Sequence, residues 1–336
     1  MVNVRRHRLR LAVLGFAIAA VLAGLGGELR SFAATGAGKV AMILPGTLQD
    51  ADFNAVGHLA LRDVHVKYGI ETADSENVAV ADAERVAREY IASGTTIIAF
   101  HGGQFLTIVQ KLAPLFPQVT FIMESSGRVA GLPPNVWVIG RKFYQGFYVL
   151  GALAALSTTT GKIGYIAGIR LPDFIASLNA VRQALGDFNQ KATLVYAFTG
   201  DQNDAVKARQ TAESQIGSGV DQIVVSVNLG VYGIFEAAQA SPRPVFVTSY
   251  YTDKYASSPK HFTASLLLNF SRPYTEIVGR ILKGERSGYV EMRPGNGMAL
   301  SPVRNTPRDV VTKVEAIFRE VVNGKVIPEI TDRVLQ

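Results

Sequence analysis

The sequence predicts an α/β fold of two doubly wound lobes in series, and three observations carry that prediction. Short apolar runs alternate with longer stretches of helical period, the pattern of parallel βαβ units. The alternation runs through once and restarts at Tyr144. Roughly 300 residues remain once a leader is set aside, enough for two cores of ordinary domain size. No repeat with a period of roughly 20–50 residues is visible, which argues against a solenoid.

Val40–Leu44 reads as the first strand, closed by Pro45-Gly46. Ala55–Tyr68 follows as a helix with Val56, Leu59, Ala60 and Val64 on one stripe. Asp82–Ala92 is a second helix, and Thr95–Phe100 is apolar enough to be a strand buried on both faces. Phe105–Leu115 is helical and stops at Pro117, and Val119–Met123 and Val136–Ile139 are further strands. The second series begins with the apolar helix Tyr144–Leu156 and the strand Lys162–Ala167. It continues with helix Asp173–Phe188, strand Leu194–Phe198, helix Asp204–Ile216 and strand Ile223–Val227. Helix Val231–Ala240 and strand Val245–Thr248 complete it. Pro133-Pro134 and Ser241-Pro242-Arg243-Pro244 are turns within these series.

Ahead of the first strand, the basic stretch Arg5-Arg6-His7-Arg8-Leu9-Arg10 leads into an apolar run from Leu11 to Leu25 and a small-residue exit at Ser31-Phe32-Ala33. That layout is a secretory signal peptide, with cleavage expected after Ala33. The fifteen apolar residues fall short of a membrane span, which takes roughly 20. Glu28 and Arg30 before the exit leave an uncleaved anchor as the alternative, and Arg5-Arg6 is compatible with twin-arginine export. The whole chain has 34 Lys and Arg against 27 Asp and Glu, but the leader holds five arginines and one glutamate. The remainder carries 29 against 26, too balanced for a nucleic-acid-binding face. Cysteine is absent, which excludes a disulfide framework, a thiolate nucleophile and a lipid-bearing cysteine. An exported protein without that anchor is expected free in a periplasm.

Several chemistries lack their residues. Pro45-Gly46-Thr47-Leu48-Gln49-Asp50 after the first strand is not the glycine fingerprint of a dinucleotide site. Gly161-Lys162 resembles the end of a phosphate loop, but Ile163 stands where a magnesium-ligating hydroxyl belongs and Leu156 where the first glycine belongs. No G-x-S-x-G elbow and no H-E-x-x-H occurs, and His58, His65, His101 and His261 include no pair at metal-ligand spacing. No cofactor and no metal are expected. An open parallel sheet binds at the carboxyl ends of its strands. His101-Gly102-Gly103 after the buried strand is therefore either a ligand-contacting loop or a tight strand-to-helix turn.

From Asp52-Phe53-Asn54, through Asn135-Val136, Phe143-Tyr144-Gln145-Gly146 and Gly151–Ala155, to Thr160–Gly168, the chain resembles the basic membrane protein (BMP) family of ABC-transporter solute receptors. Phe116–Phe121 and Gly219–Ile223 match its proline-bearing turn and its second-lobe strand entry, and the resemblance covers most of residues 39–303. It is closer to the purine-base-binding branch than to the nucleoside receptors. The resemblance implies a type I periplasmic-binding-protein fold: two Rossmann-like doubly wound lobes joined by a three-crossover hinge near Arg141, Asn269 and Leu300. Residues 39–141 with 270–299 would form the first lobe, and 142–269 with 300–336 the second.

The same resemblance implies a flat heterocycle as ligand, which needs aromatic faces and a few polar groups for the ring edge. Phe53, placed in a loop by its polar neighbours Asp52 and Asn54, matches the family's stacking aromatic, and Asn54 its neighbouring amide. Phe198 and Tyr232, the latter beyond Asn228, are candidates for the opposing ring. Glu124 ends its strand where nucleoside receptors carry an aspartate. Ser249 and Asn269 stand where those receptors have a ribose-bridging aspartate and a lysine, so a purine base is expected ahead of a nucleoside. The candidate binding residues are thus Asp52, Phe53, Asn54, His101, Glu124, Phe198, Asn228, Tyr232 and Ser249. The expected partners are this small molecule and an ABC permease with its ATPase, with no nucleic acid and a monomeric receptor. The rival readings are an exported nucleoside-processing hydrolase using Glu124, Asp52 and His101, and a membrane-anchored sensor of the same fold. Carboxylates without a nucleophile, metal set or phosphate loop define no reaction class.

Overall fold

The computed structural model describes residues 38–324, so the leader, its cleavage point and residues 325–336 lie outside the described residues. Strands β1 (Lys39–Ile43), β2 (Thr72–Ser75), β3 (Thr95–Phe100), β4 (Thr120–Ser125) and β5 (Val136–Arg141) alternate with helices α1 (Phe53–Tyr68), α2 (Val80–Ala92) and α3 (Leu106–Leu115). The second series is α4 (Phe143–Ser157), β6 (Lys162–Ala167), α5 (Pro172–Phe188), β7 (Thr193–Phe198), α6 (Ala205–Gly217), β8 (Gln222–Ser226), α7 (Gly230–Ala240), β9 (Phe246–Tyr251) and β10 (Phe262–Leu268). After it come α8 (Ser271–Ile281), β11 (Gly288–Pro294), β12 (Gly297–Leu300) and α9 (Arg308–Val322).

The twelve strands are ordered β2-β1-β3-β4-β5-β11-β12-β10-β9-β8-β6-β7. Read from either end, the order is the same doubly wound pattern, β2-β1-β3-β4-β5 and β7-β6-β8-β9-β10. Each half therefore reverses direction beside its first strand, between β1 and β3 and between β6 and β8, and those reversals open crevices at the carboxyl ends. Every pairing is parallel except β10 with β12.

The buried central strands are the ones that apolar runs identify. In β3 and β4 almost every side chain is enclosed, since helices cover both faces. The β2 strand was not visible in the sequence because Thr72-Ala73-Asp74-Ser75 is a polar, half-exposed edge. The chain passes between the two halves of the sheet after Arg141, at Asn269-Phe270 and through Gly295-Asn296. Gly295 and Gly297 both have φ of +80°, and a Cβ on Gly295 would lie 2.7 Å from a Val322 methyl, so this turn requires glycine. The largest core cluster runs through both halves, uniting α1 and α8 with α4, α5 and α9. Separate clusters fill the outer faces under α2 and α3 and under α6 and α7.

Candidate functional site

A cavity of about 170 Å³ lies where the carboxyl ends of the two half-sheets meet. Its walls come from the segments after successive strands: Pro45 and Gly46 after β1, Gln104 after β3, Arg141 at the end of β5, Ile169 and Leu171 after β6, Gln202 after β7, Asn228 after β8 and Tyr251 ending β9. Phe53 and Asn54 at the start of α1 and Phe174 in the first turn of α5 complete it with Asn203.

Asp50 organises the first-half wall. Its buried carboxylate accepts from the backbone N–H groups of Asp52 (2.9 Å), Asn54 (3.0 Å) and Ala55 (3.1 Å) and from the Asn54 amide (2.7 Å). These are the donors that the start of α1 leaves without an intrahelical partner, so Asp50 caps the helix from a distance and fixes where Phe53 points. Phe53 is thus the first helical residue and not a loop residue. Its ring stacks on His101 at 3.9 Å between centroids and 18° between planes. Asn54 lines the cavity, but its Oδ1 accepts from Gly46 N at 3.1 Å and its amide donates to Asp50.

Behind Phe53 lies a buried charged network. His101 and Glu124 are both fully enclosed, with His101 Nδ1 2.5 Å from Glu124 Oε1 and Nε2 2.7 Å from the Phe53 carbonyl. Tyr274 donates to Glu124 Oε1 (2.9 Å) and Arg141 Nη1 to Oε2 (3.1 Å). Arg141 Nη2 also donates to Asp173 in the other half of the sheet. Burial pushes the Glu124 carboxyl up, but His101 and Arg141 outweigh it and hold the group below its ordinary value. Burial raises Asp173, and Arg141 only partly offsets this. A Cβ on Gly57 would lie 2.7 Å from the His101 ring, so the helix approaches this network only through glycine.

On the second-half wall, Tyr251 has φ of +70°, a conformation costly for an aromatic residue and characteristic of functional positions. Its ring lies 5.7 Å from Phe53 and meets Phe143 edge-on at 6.4 Å. Beside the cavity the two halves are clasped: Lys254 pairs with Asp52 and donates to Tyr250 O (3.0 Å), and Thr252 donates to Asp52 at 3.1 Å. Burial drives the Asp52 carboxyl up to about 6, against the pull of Lys254 and Thr252.

The structure brings Phe53, Asn54 and Asn228 onto the cavity wall. Asp52, His101 and Glu124 are buried next to it and are occupied by partners within the protein. Phe198 sits on the edge strand β7 with Arg170 5.4 Å from its ring, and Tyr232 packs on Phe235. Ser249 is enclosed and shares a hydrogen bond with Ser265. Sequence reasoning missed Gln104, Arg141, Phe174, Gln202 and Tyr251. The carboxyl-end rule, carried a few residues beyond each strand, would have flagged Gln104, Arg141, Gln202 and Tyr251.

The wall carries one charged side chain, Arg141, and two carboxylates hold it. What faces the cavity is otherwise apolar, aromatic or carboxamide. Among the described residues no group of His, Asp and Glu is arranged to hold a metal ion, and no helix is long and apolar enough to cross a membrane.

Residues 37–293 match the family described as ABC transporter substrate-binding protein PnrA-like (Bmp). Basic membrane protein B of Borreliella burgdorferi is 21% identical over 86% of this chain and 86% of its own. A purine-binding protein of Brucella abortus is 28% identical over 46% of this chain and 43% of its own. Among solved structures, an ABC transporter solute-binding protein from Conexibacter woesei aligns with a TM-score of 0.68 at 24% identity, covering 86% of this chain and 98% of that one. Another from Aeropyrum pernix aligns at 0.73 and 19% identity, covering 87% and 94%. These likenesses establish the type I periplasmic-binding fold.

Proposed function

This chain belongs to the Bmp family of PnrA-like ABC transporter substrate-binding proteins, and from that membership we propose that its cleft captures a neutral, flat heterocycle for an ABC importer. A purine base is the ligand favoured, ahead of a purine nucleoside. The observation that carries the reading is the character of the wall. Phe53, Phe174 and Tyr251 offer ring faces, while Gln104, Gln202, Asn203 and Asn228 offer amide donors and acceptors. The lone cation is neutralised by Glu124 and Asp173, so an anionic or cationic ligand would meet no unpaired countercharge. Aromatic faces with a few polar groups are what a purine ring requires. The purine-binding relative in Brucella abortus agrees with this chemistry.

Two further features favour the base over the nucleoside. A cavity of about 170 Å³ is small beside the roughly 300–1,000 Å³ usual for drug-sized ligands. Among the lining residues no carboxylate is present to bridge ribose hydroxyls. The family is one of substrate-binding proteins working outside the cytoplasm, with small-molecule ligands and permease partners. Within that frame the chain acts as a monomeric periplasmic receptor released by its leader. Mass spectrometry of small molecules released by denaturing the protein, purified from the export compartment, tests the reading. A purine base is expected, and a charged metabolite in stoichiometric amount would contradict it.

A further inference from the structure

Among the carboxamides on the cavity wall, Gln104 included, Gln202 stands apart as the one whose polar atoms are both buried and unpaired. Asn54 spends its amide on Gly46 and Asp50, Asn203 Oδ1 accepts from Leu229 N at 3.4 Å, and Asn228 Oδ1 accepts from the Tyr250 hydroxyl at 3.4 Å. The Gln202 side chain has both Oε1 and Nε2 buried with no partner in the protein. Leaving a buried donor and acceptor unpaired is costly and is rare without a reason.

The surroundings hold that side chain in place. A Cβ on Gly168 would lie 2.5 Å from the Gln202 carboxamide carbon, so the glycine after β6 provides the seat. The loop is tied down from both sides. Gly230 N donates to Gln202 O at 3.1 Å, and the Thr199 hydroxyl donates to Asp201 O at 2.6 Å. The Asp201 carboxylate accepts from Asn203 N and Asp204 N at 2.6 and 3.2 Å. Gln202 is therefore a cavity-lining residue whose ordered amide, seated on Gly168, has unused hydrogen-bonding capacity.

We propose that Gln202 is the specificity-determining residue of the cleft, reading a ring edge that presents a donor and an acceptor side by side. A carboxamide matches such an edge with two parallel hydrogen bonds, as glutamine does with the amino group and neighbouring ring nitrogen of adenine. The inference rests on the heterocycle reading above and assigns it the residue that selects among rings of equal size.

The experiment is a cycle of two ligands and two proteins: adenine and unsubstituted purine, which lacks the amino donor, titrated calorimetrically into the wild type and Gln202→Leu. The wild type is expected to prefer adenine by about tenfold or more, and Gln202→Leu to bind both rings equally and adenine about tenfold or more weakly. Its melting temperature without ligand should not fall, because the substitution removes an unpaired buried amide. Gln202→Met, of similar length but with neither the carboxamide donor nor its acceptor, should lose the same preference, and it serves if the leucine variant fails to fold. Undiminished adenine preference in a folded variant overturns the role of Gln202 while leaving the receptor reading intact. Failure of the wild type to bind any purine overturns both.

Discussion

Glu124 is where a single atom change has the widest reach. It receives His101, Tyr274 and Arg141, and Arg141 in turn holds Asp173 across the cleft. Glu124→Gln leaves the buried Arg141 with Asp173 as its remaining anion and His101 without its carboxylate partner, so destabilisation of about 3–5 kcal/mol is expected in a denaturant titration. Asp52 makes a prediction about pH. Its folded carboxyl keeps its proton to about 6, against 3.8 for the ordinary group. Between those values the native state binds more protons than the unfolded chain, so this group's contribution to stability falls as pH rises through the window. Melting temperatures of wild type and Asp52→Asn should therefore diverge, with the wild type losing ground from 3.8 towards 6. A constant difference across that range contradicts the burial argument. Glu124 acts oppositely: being held low, it contributes stability above its ordinary value of 4.5 that is lost in stronger acid.

At the scale of elements, glycine contacts and remote caps do the positioning. Gly57→Ala on α1 would drive a methyl into the His101 ring and should cost about 1–3 kcal/mol. It should weaken ligand binding too, because Phe53 stacks on that ring. Asp221 accepts from the Thr158 and Thr159 hydroxyls at 2.6 and 2.8 Å and from Thr159 N and Thr160 N at 2.7 and 3.1 Å, fastening the end of α4 to β8. Asp221→Ala should therefore lower stability on the order of 2–3 kcal/mol without altering ligand preference, since Asp221 is not on the cavity wall. What the sequence made legible follows the same physics. Strands such as β3 and β6 were readable because burial on both faces demands apolar runs. The polar edge β2 left no such trace. Phe53 and Asn54 were reachable as cavity residues through the family resemblance, and Asn228 from its place just after a strand. Arg141 and Tyr251 follow strands that the sequence ends at Ile139 and Thr248, so their positions were legible, but the pairing of Arg141 with Asp173 in the other half of the sheet was not. The partners of Asp52 and Glu124 lie 202 and 150 positions away at Lys254 and Tyr274, beyond any local pattern.

For the whole molecule, two cross-sheet ion pairs, Asp52 with Lys254 and Arg141 with Asp173, hold the halves together around the cavity. Hinge closure of a two-lobed receptor is the motion such pairs would favour. Lys254→Ala would leave Asp52 buried without its cation, which disfavours the closed arrangement. Small-angle scattering should then find a larger radius of gyration without ligand than in the wild type, and ligand should dissociate faster. Equal radii and equal rates would mean that the pair follows closure and does not bias it. A wall of aromatic and amide groups whose one cation, Arg141, is neutralised by Glu124 and Asp173 should select a neutral flat ring. Calorimetric titration of the purified protein with adenine, adenosine, guanine and guanosine tests it most directly. Saturable one-to-one binding of a purine base, tighter than that of its nucleoside, is the expected result, and binding of none of the four overturns this reading of the wall.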